Sequence, residues 1–451
     1  MNVRELSSEE IEHCKSINNS VFTIQLNKRR DYLQTLVINH LAQTKYLLIN
    51  CFTSFGKSYC VKQGIRRLNI KYGKEQQHII VVPSTNLKEE FEKVLAEFSN
   101  VKVVIINTFV KGSYSSVKSL WVDECHTALN PHSLEFSKAF SLVECPIKVG
   151  LSATLNKEQL EFAEKLGFLN RFYIPLHIGL QLKLVPPYNI YNLAVDLTES
   201  EKAKYVKIDN DYKDYIHFFS KFSEKSTAYL IPMLTQGQKS VKWEGKFYTG
   251  NQLASMVASK MELPTGSIIG SALKWMKQVN ARKNLLYNAA NKFKILEELL
   301  SAFEDRNTVV FTSSQKKANE IARISKYRAA YHGGNSHPQI LKDFANGNLK
   351  VITTCIKLQS GQITDNVSVA IQTFFTSQVR ALQQINGRIL RFDENVENKT
   401  GILINLYVND FEYQGEQYYS QDKVWLARSL VGSKFITYIE SIEEIEELYE
   451  N

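Results

Sequence analysis

Short, almost wholly apolar runs alternate with amphipathic stretches twice along this chain, and this duplication constrains the fold more than any other feature. In the first half the apolar runs are bounded by turn or polar residues and cover residues 46–50, 78–83, 102–107, 120–123 and 147–151. Strands that are covered on both faces have this pattern. Helices predicted at 58–72 and 87–98 complete an α/β unit with a parallel sheet.

A second set of the same kind begins at Asn307. Its predicted strands cover residues 308–312, 329–332, 350–353, 369–373 and 401–408, and its predicted helices cover residues 315–325, 337–345 and 378–390. The chain of 451 residues therefore holds two α/β units of comparable size. Its 44% of apolar residues suffice for conventional cores, which excludes a disordered tail and a small disulfide scaffold.

Membrane and metal classes find no support in the composition. No run of about 18 or more apolar residues occurs, and the N-terminus is too polar for a signal sequence. We therefore expect a cytoplasmic protein with no membrane partner. The six cysteines form no C-x-x-C pair and do not cluster with the nine histidines, so we expect reduced thiols rather than structural zinc.

Positive charge is concentrated between the two α/β units. Residues 236–294 carry ten basic residues against two acidic ones, which accounts for nearly the whole net charge of +9. A hairpin is predicted at 241–248, turning at Glu244 and Gly245. Aromatic residues lie among the basic ones, including Trp243, Phe247, Tyr248, Trp275 and Tyr287.

Basic side chains among aromatic ones suit a phosphate backbone and stacked bases. The lysines that we expect to contact nucleic acid are Lys239, Lys242, Lys246, Lys274 and Lys277. The alternative is a solvated helical face whose aromatic side chains belong to the core.

Residues 51–58, Cys-Phe-Thr-Ser-Phe-Gly-Lys-Ser, follow the first predicted strand and precede a helix. Such a loop lets main-chain N–H groups bind phosphates at a helix N-terminus, where the lysine offers positive charge and the serine hydroxyl can bind Mg²⁺. The candidate ATP-binding residues are Thr53, Ser54, Phe55, Gly56, Lys57 and Ser58. Cys51 and Ser54 depart from the general pattern, so a chance Gly-Lys-Ser is the alternative.

Two adjacent carboxylates, Asp123 and Glu124, end the apolar run at 120–123. At the carboxyl end of a strand beside a phosphate loop, Asp123 can hold Mg²⁺ while Glu124 orients and deprotonates the attacking water. The alternative is an acidic turn that merely ends a strand.

In the second unit, Arg388 and Arg391 lie three residues apart and share one face of a predicted helix. Two guanidiniums on one face can clamp a triphosphate across a domain cleft, where an inserted arginine stabilises transition-state charge. A solvated charge pair is the alternative.

Taken together and in this order, these motifs resemble the helicase motifs of superfamily 2 in its DExH form. The resemblance covers residues 25–410 and rests on the segments 53–58, 123–126 (Asp-Glu-Cys-His), 151–154 (Leu-Ser-Ala-Thr) and 384–391 (Gln-x-x-Gly-Arg-x-x-Arg). Further matches lie at 82–87, 107–109, 310–314, 331–334, 344–347 and 351–354.

The resemblance implies an α/β fold of two tandem RecA-like parallel-sheet domains with a basic insertion between them. ATP and Mg²⁺ would bind in the cleft, and a nucleic-acid strand would cross both domains. The expected boundaries are a short N-terminal segment at 1–24, a first motor domain at 25–180, a linker with the basic insertion at 181–305 and a second motor domain at 306–451.

The resemblance also implies roles in the ATP site. Lys57 and Ser58 would bind phosphate and Mg²⁺, Asp123 would bind the metal, and Glu124 would be the catalytic base. From the second domain, Gln384, Arg388 and Arg391 would face the ATP, with Arg391 as the arginine finger. Gln34 is the candidate for contacting the adenine, with Gln25 as the alternative.

Further residues would couple hydrolysis to movement or contact the strand. The coupling residues implied are His126, Ser152, Thr154 and Gly361. In this last motif Ile363 replaces the aspartate that is common two residues after the glycine. The nucleic-acid contacts implied are Pro83, Ser84, Thr85, Thr108, Thr312 and Thr353.

Within the superfamily, the Thr-Ser-x-Gly-Lys-Ser loop, the compact length and the insertion resemble phage recombination helicases of the branch-migration kind, related in activity to the RecG group. This narrower resemblance implies binding of single-stranded and branched DNA, 3′ to 5′ translocation, and remodelling of Holliday junctions and forks in recombination, repair or replication. A phage-encoded protein would act in the host cytoplasm. The sequence does not fix the oligomeric state and is compatible with a monomer.

Three alternatives stay open at this point. The motor motifs grip phosphates, so they also suit an RNA helicase or a restriction-type translocase on duplex DNA. The third is a nucleic-acid clamp whose ATPase is degenerate, which the altered phosphate loop and Ile363 motivate.

Overall fold

The structure is a computed structural model that describes residues 8–52, 54–131, 133, 135–153, 155–223, 227–355, 367–375, 400–430 and 435–447. The strands of the first unit are β1 Tyr46–Cys51, β2 Gln77–Val82, β3 Val101–Ile105, β4 Val117–Val122, β5 Ile147–Ser152 and β6 Asn170–Ile174. They form one sheet in the order β3-β2-β4-β5-β1-β6, and every neighbouring pair is parallel. The predicted parallel sheet is confirmed.

The helices of the first unit are α1 Ser8–Phe22, α2 Arg29–Gln43, α3 Lys57–Tyr72, α4 Thr85–Val94, α5 Ile106–Phe109, α6 Lys157–Lys165 and α7 Leu176–Gln181. Helix α3 approaches the sheet closely at Gly64, since a Cβ there would lie 2.5 Å from the ring of Trp121. The strands are buried almost throughout, as expected when helices cover both faces of a sheet.

Helix α1 is an element that the sequence analysis does not predict. It presents Cys14, Ile17 and Val21 to the core at spacings of three and four residues. This apolar stripe is short and lies in an otherwise polar segment, so periodicity alone does not reveal it.

The second unit is built on a seven-stranded sheet. Its strands are β7 Tyr188–Val195, β10 Thr308–Phe311, β11 Arg328–Ala330, β12 Val351–Thr354, β13 Val369–Gln372, β14 Gly401–Val408 and β17 Ile436–Ile439. Their order is β11-β12-β10-β13-β14-β7-β17, and all neighbouring pairs are parallel. The described helices of this unit are α12 Ala290–Ala302, α13 Gln315–Ala322, α14 Pro338–Ala345, α15 Gln421–Ser429 and α16 Glu443–Glu447. A hairpin of β15 Phe411–Tyr413 and β16 Glu416–Tyr418 follows β14.

The placement of β7 and α12 differs from the expected division of the chain. Both elements fall in the linker region predicted at 181–305, but β7 pairs with β14 over its whole length. Helix α12 packs against the same sheet through Leu296, Leu299 and Leu300. A strand that pairs with a partner more than 200 residues away cannot be assigned to its sheet from local pattern alone.

Residues 199–287 form a lobe between β7 and α12, called the inserted lobe below. It comprises α8 Glu199–Ser220, α9 Thr227–Met233, β8 Ser240–Trp243, β9 Lys246–Thr249, α10 Gly250–Lys260 and α11 Thr265–Tyr287. The predicted hairpin is confirmed: β8 and β9 are antiparallel and turn at Glu244 and Gly245. The lobe has its own core, which contains Trp243 and Trp275, so for these two residues the alternative interpretation holds.

Polar contacts at its base fix the inserted lobe to the second unit. The hydroxyl of Tyr205 donates to the main-chain oxygen of Tyr419 at 3.1 Å and accepts from Arg282 at 3.0 Å. The same guanidinium forms an ion pair of 3.0 Å with the buried Asp209.

In the described part of the chain, no helix combines the length and the apolar composition needed to cross a membrane.

Candidate functional site

The carboxyl ends of the parallel strands meet at one edge of the first sheet, which is where ligands bind in folds of this type. Strand β1 leads from this edge into the loop before α3, β4 leads into Asp123, and β5 ends at Ser152. The topology therefore brings together three of the segments that the sequence analysis singles out.

The loop before α3 takes its shape from two left-handed residues. Ser54 has a φ of 71° and Gly56 a φ of 88°, and Gly56 is the residue from which α3 begins. The buried Gln34, only 4% exposed, donates a hydrogen bond of 2.8 Å from its Nε2 to the main-chain oxygen of Phe55. Since a Cβ on Gly56 would lie 2.4 Å from that nitrogen, only glycine fits there without displacement.

Lys57 and Ser58 are the first two residues of α3 and are both half-buried. The first N–H groups of a helix lack partners within the helix, and the helix dipole adds positive potential at the same place. The loop thus offers main-chain donors, an ammonium group and a hydroxyl to an anion, which are the groups that bind phosphates. Phe55 differs from the other loop residues because its ring is buried and packs edge-on against Phe52.

Asp123 and Glu124 follow β4, and the main chain turns at Glu124. Asp123 is buried, and its N–H donates to the main-chain oxygen of Val81 at 2.8 Å, which extends the sheet by one residue. Glu124 has a φ of 45°, a left-handed conformation that non-glycine residues adopt at a cost of about 1–2 kcal/mol. The turn breaks the alternation of a strand, so the two carboxylates are not sent to opposite faces.

Burial raises the pKa of the Asp123 carboxyl, and the negative charge of Glu124 raises it further. The positive charge of Lys57 acts in the opposite direction on the same pKa. Two carboxylates held this close, with one of them buried, form a site that a cation stabilises.

The donor set also fits Mg²⁺, which prefers oxygen ligands and is usually held by one or two carboxylates together with substrate phosphates. Asp123 and Ser58 would supply the protein ligands. A cage made by the protein alone is not needed, and among the described residues no cluster of three or more histidine, cysteine or acidic side chains could form one.

His126 connects Glu124 to the next strand. Its Nδ1 lies 3.1 Å from Oε2 of Glu124 and 3.3 Å from Oγ of Ser152, at the end of β5. The side chain of Gln159 donates to the main-chain oxygen of His126 at 2.8 Å and holds this turn from α6. Because the His126 ring contacts both side chains, a displacement of Ser152 would alter the contact that positions the Glu124 carboxylate.

Two residues that support the site were missed in the sequence analysis. Asn50 donates from Nδ2 to the main-chain oxygens of Ser152 and Ala153, at 3.1 and 3.0 Å, and so ties β1 to the turn after β5. Arg171 donates to Oδ1 of the same asparagine at 2.5 Å. A polar residue near the end of an otherwise apolar strand was the available signal for Asn50.

Several predicted residues lie outside the described part of the chain. These are Thr53 in the phosphate loop, Thr154 and Gly361 among the coupling residues, and Gln384, Arg388 and Arg391 in the second unit. Their predicted roles stay predictions.

The residues predicted to contact nucleic acid fall into two groups. In the first unit, Thr85 and Thr108 are exposed, while Pro83 and Ser84 are half-buried. The hydroxyl of Ser84 also accepts from the N–H of Leu87 at 3.4 Å and caps α4.

In the second unit, Thr312 and Thr353 are buried at the ends of β10 and β12. The Thr312 hydroxyl donates to the main-chain oxygen of Ser314 at 3.0 Å, and that of Thr353 donates to the oxygen of Ala318 at 2.6 Å. Their side chains thus hold the local main chain and are not presented at the surface.

The basic stretch is partly surface and partly core. All five lysines that the sequence analysis names, Lys239, Lys242, Lys246, Lys274 and Lys277, are exposed on the inserted lobe. Lys292 and Arg282, which contribute to the same local charge, are instead engaged in ion pairs with Asp422 and Asp209. The charge available to a partner is therefore carried by the exposed lysines.

Comparison with known proteins gives one family match and a set of structural likenesses. Residues 291–393 match the helicase conserved C-terminal domain. No curated protein matches the chain by sequence.

Among solved structures, the chain is similar to S. cerevisiae Dbp5 bound to RNA and ADP BeF3, at 14% identity, with 90% of this chain and 88% of that chain covered and a TM-score of 0.50. A variant of the same protein with the same ligands gives a TM-score of 0.54 at the same identity and coverage. The Hef helicase domain of Pyrococcus furiosus is 15% identical to this chain. The match covers 88% of this chain and 97% of the Hef domain, with a TM-score of 0.47.

At this identity the likeness to Dbp5 shows the fold, and the predicted architecture of two RecA-like parallel-sheet domains is confirmed. The match to the helicase conserved C-terminal domain lies in the second of these domains. The chain thus combines a RecA-like fold with a match to the helicase conserved C-terminal domain.

Proposed function

We propose that this protein is an ATP-dependent DNA helicase that translocates 3′ to 5′ and remodels branched DNA, such as Holliday junctions and forks, in recombination, repair or replication. It would act in the cytoplasm. One observation carries the ATPase part of the proposal. The phosphate loop before α3 and the Asp123–Glu124 pair lie at the same sheet edge, close enough for the charge of Lys57 to act on the Asp123 carboxyl.

The nucleotide site would be built mainly from the first unit. The N–H groups at the start of α3 and the Lys57 ammonium would bind the phosphates, and Ser58 and Asp123 would hold Mg²⁺. The metal would neutralise phosphate charge. Gln34 keeps the loop in place through its bond to the Phe55 main chain, and contact with the adenine is a second role that we propose for it.

Glu124 would act as the base that orients and deprotonates the attacking water. Its left-handed conformation breaks the alternation of the strand, and its carboxylate contacts His126, so the two neighbouring carboxylates can do different work. His126 contacts both Glu124 and Ser152, which suits a group that couples the site to movement. Arg388 and Arg391 would approach the phosphates from the second unit, with Gln384 beside them, and Thr53, Thr154 and Gly361 would complete these motifs.

Nucleic acid would bind across both units and the inserted lobe. The five exposed lysines of the lobe give it a positive surface that attracts phosphates. The preference for branched DNA rests on the resemblance to branch-migration helicases. Dbp5, whose fold is similar, is bound to RNA in its structure, so RNA belongs among the substrates to be tested.

The test is ATP hydrolysis by the purified full chain with no nucleic acid, single-stranded DNA, duplex DNA, a four-way junction and RNA of matched sequence. Junction disassembly is followed in the same samples. The proposal predicts stimulation by DNA, strongest with the junction, together with ATP-dependent disassembly.

Each other outcome overturns part of the proposal. Stimulation by RNA alone would indicate an RNA helicase, and turnover on duplex without disassembly would indicate a translocase. Binding without turnover on any of these substrates would indicate a clamp.

A further inference from the structure

The hairpin of β8 and β9 has one face turned to the lobe and one turned to solvent. Trp243 is buried in the core of the inserted lobe, and Val241 and Tyr248 pack against that core. Lys242 and Phe247 are directly opposite each other in the register and point to the other side. Phe247 is 68% exposed, which makes it the phenylalanine with the largest exposed fraction in the described chain.

The backbone beneath Phe247 is a tight two-residue turn. Glu244 and Gly245 have φ values of 47° and 81°, the combination of a type I′ turn, which matches the twist of the flanking strands. Because Trp243 on the inner face is packed in the core of the lobe, the hairpin that carries Phe247 is held in place.

Positive charge lies beside the exposed ring. The Nζ of Lys242 lies 5.8 Å from the centre of the Phe247 ring, and Lys239 is exposed on the approach to the hairpin. Lys246 is also exposed, but it is opposite Trp243 in the register and belongs to the other face. Glu244 is the single acidic residue in the sequence from 239 to 249. An apolar protein surface would have to desolvate these lysines, whereas an anionic polymer with flat apolar rings matches both features.

We infer that Phe247 is a base-stacking residue, and that the outer face of the β8–β9 hairpin binds single-stranded nucleic acid. One unpaired base lies on the Phe247 ring, while Lys242 contacts an adjacent phosphate. Stacking requires an unpaired base but not a particular one, because every base has a π face. The inference rests on the proposed function in one respect, that the ligand of the lobe is nucleic acid.

The experiment uses the full chain and two labelled probes of equal length, an oligothymidylate and an abasic strand with the same phosphates. The wild type should bind the thymidylate more tightly than the abasic strand. Phe247→Ala should lower thymidylate affinity by about 5- to 100-fold and should bring the two probes to nearly equal affinity.

A second variant gives a readout that a loss of folding would not produce. Phe247→Trp should keep the preference for thymidylate, and its added tryptophan fluorescence should be quenched by thymidylate but not by the abasic strand. The matched control is Tyr229→Ala, which removes an aromatic ring that is 63% exposed on α9 of the same lobe and should leave both affinities unchanged.

Equal binding of the two probes by the wild type, or unchanged preference in Phe247→Ala, would overturn the inference. These outcomes are separable from failure of the proposed function, since binding is measured without ATP. A chain that stacks bases but hydrolyses no ATP would retain the inference and lose the helicase proposal. A chain with junction-stimulated turnover and no base preference would do the reverse.

Discussion

Gln34 and Gly56 are in close contact: the Nε2 of the glutamine lies 2.4 Å from the position that a Cβ on residue 56 would occupy. The same nitrogen donates to the main-chain oxygen of Phe55 at 2.8 Å. The phosphate loop is thus supported from the protein interior at the point where its backbone turns left-handed.

Gly56→Ala should disable the loop. The substitution forces a Cβ into Gln34 and also places alanine at a φ of 88°, which costs about 1–2 kcal/mol by itself. Either the loop moves or Gln34 loses its bond, so we expect affinity for a fluorescent ATP analogue to fall by about ten-fold or more.

Gly245→Ala is the matched control for this change. Gly245 also has a left-handed φ, 81°, but a Cβ there would meet no atom within 4 Å. Its backbone strain is comparable and falls in the inserted lobe, so nucleotide affinity should stay at the wild-type level. An equal loss of affinity in both variants would show that the Gln34 contact is not what matters.

We expect the stability of the second unit to depend strongly on both partners of the buried ion pair between Lys292 and Asp422. Nζ and Oδ2 are 2.5 Å apart, and neither side chain is exposed. Lys292→Met would leave a carboxylate buried without its partner, which typically costs about 3–5 kcal/mol. We expect a clear fall in the urea midpoint for unfolding.

The double variant Lys292→Met with Asp422→Leu should recover part of this loss, because it removes the stranded charge. Lys88→Met is a control, since it breaks the partly exposed Lys88–Glu92 pair and should cost at most about 1 kcal/mol. A double variant as unstable as the single one would contradict this account of the pair.

His78 should make stability depend on pH. The ring is buried, its Nε2 donates to Oδ1 of Asn69 at 3.0 Å, and its Nδ1 therefore accepts from the Ser119 hydroxyl at 2.7 Å. Burial lowers the pKa of His78 to about 4, and the charge of Lys118 acts in the same direction. An unfolded histidine has a pKa of about 6.5, so the unfolded chain binds this proton first.

Stability should therefore be complete above about pH 6.5 and fall between about 6.5 and 4, by about 3 kcal/mol in all. Below about pH 4 both states bind the proton, and the contribution of His78 to stability is lost. The measurement is the unfolding free energy between pH 4 and 7.5, and His78→Gln should flatten the slope. His217→Gln, which removes an exposed histidine of α8, should leave the slope as it is. A steep slope retained in His78→Gln would rule out His78 as its source.

The exposed lysines of the inserted lobe should set the salt dependence of binding. Replacing Lys239, Lys242, Lys246, Lys274 and Lys277 together by alanine removes phosphate partners, and each lost contact lowers the slope of log affinity against log salt by about 0.7 to 0.9. We expect the slope to fall by about two or more.

The charge-matched control replaces five exposed lysines outside the lobe, Lys74, Lys93, Lys157, Lys165 and Lys326. Its slope should stay close to that of the wild type. If both sets change the slope equally, the lobe is not a preferred contact, and its lysines are a solvated face.

Much of the fold could be predicted because its strands are buried on both faces. The strand at 401–408 coincides with β14, and the remaining predicted strands of both sheets match observed ones to within a few residues. Buried parallel strands are continuous apolar runs, which local pattern detects well.

The elements that escaped prediction are those that tertiary contacts stabilise. Strand β17 is short, with only Ile439 buried, and gains its place by pairing with β7 at a separation of more than 200 residues. The core positions of Trp243 and Trp275 could not be predicted either. An aromatic residue beside a lysine gives the same sequence pattern whether its ring packs in a core or stacks on a base.

For the candidate site, sequence order indicated which segments matter, and the structure supplies what joins them. The bond from Gln34 to the loop, and those from Asn50 to the turn after β5, depend on side chains that meet across the fold. Spacing along the chain does not encode these contacts.

We propose that Asp123 and Glu124 share one site with the Lys57 loop and that Glu124 is the base for ATP hydrolysis. The most direct measurement is DNA-stimulated ATP turnover by Glu124→Gln, with nucleotide affinity measured on the same sample and Lys57→Ala as the variant that should lose turnover through its phosphate contact. We expect Glu124→Gln to bind ATP like the wild type and to hydrolyse it about 100-fold or more slowly. Turnover by Glu124→Gln at the wild-type rate would contradict this proposal.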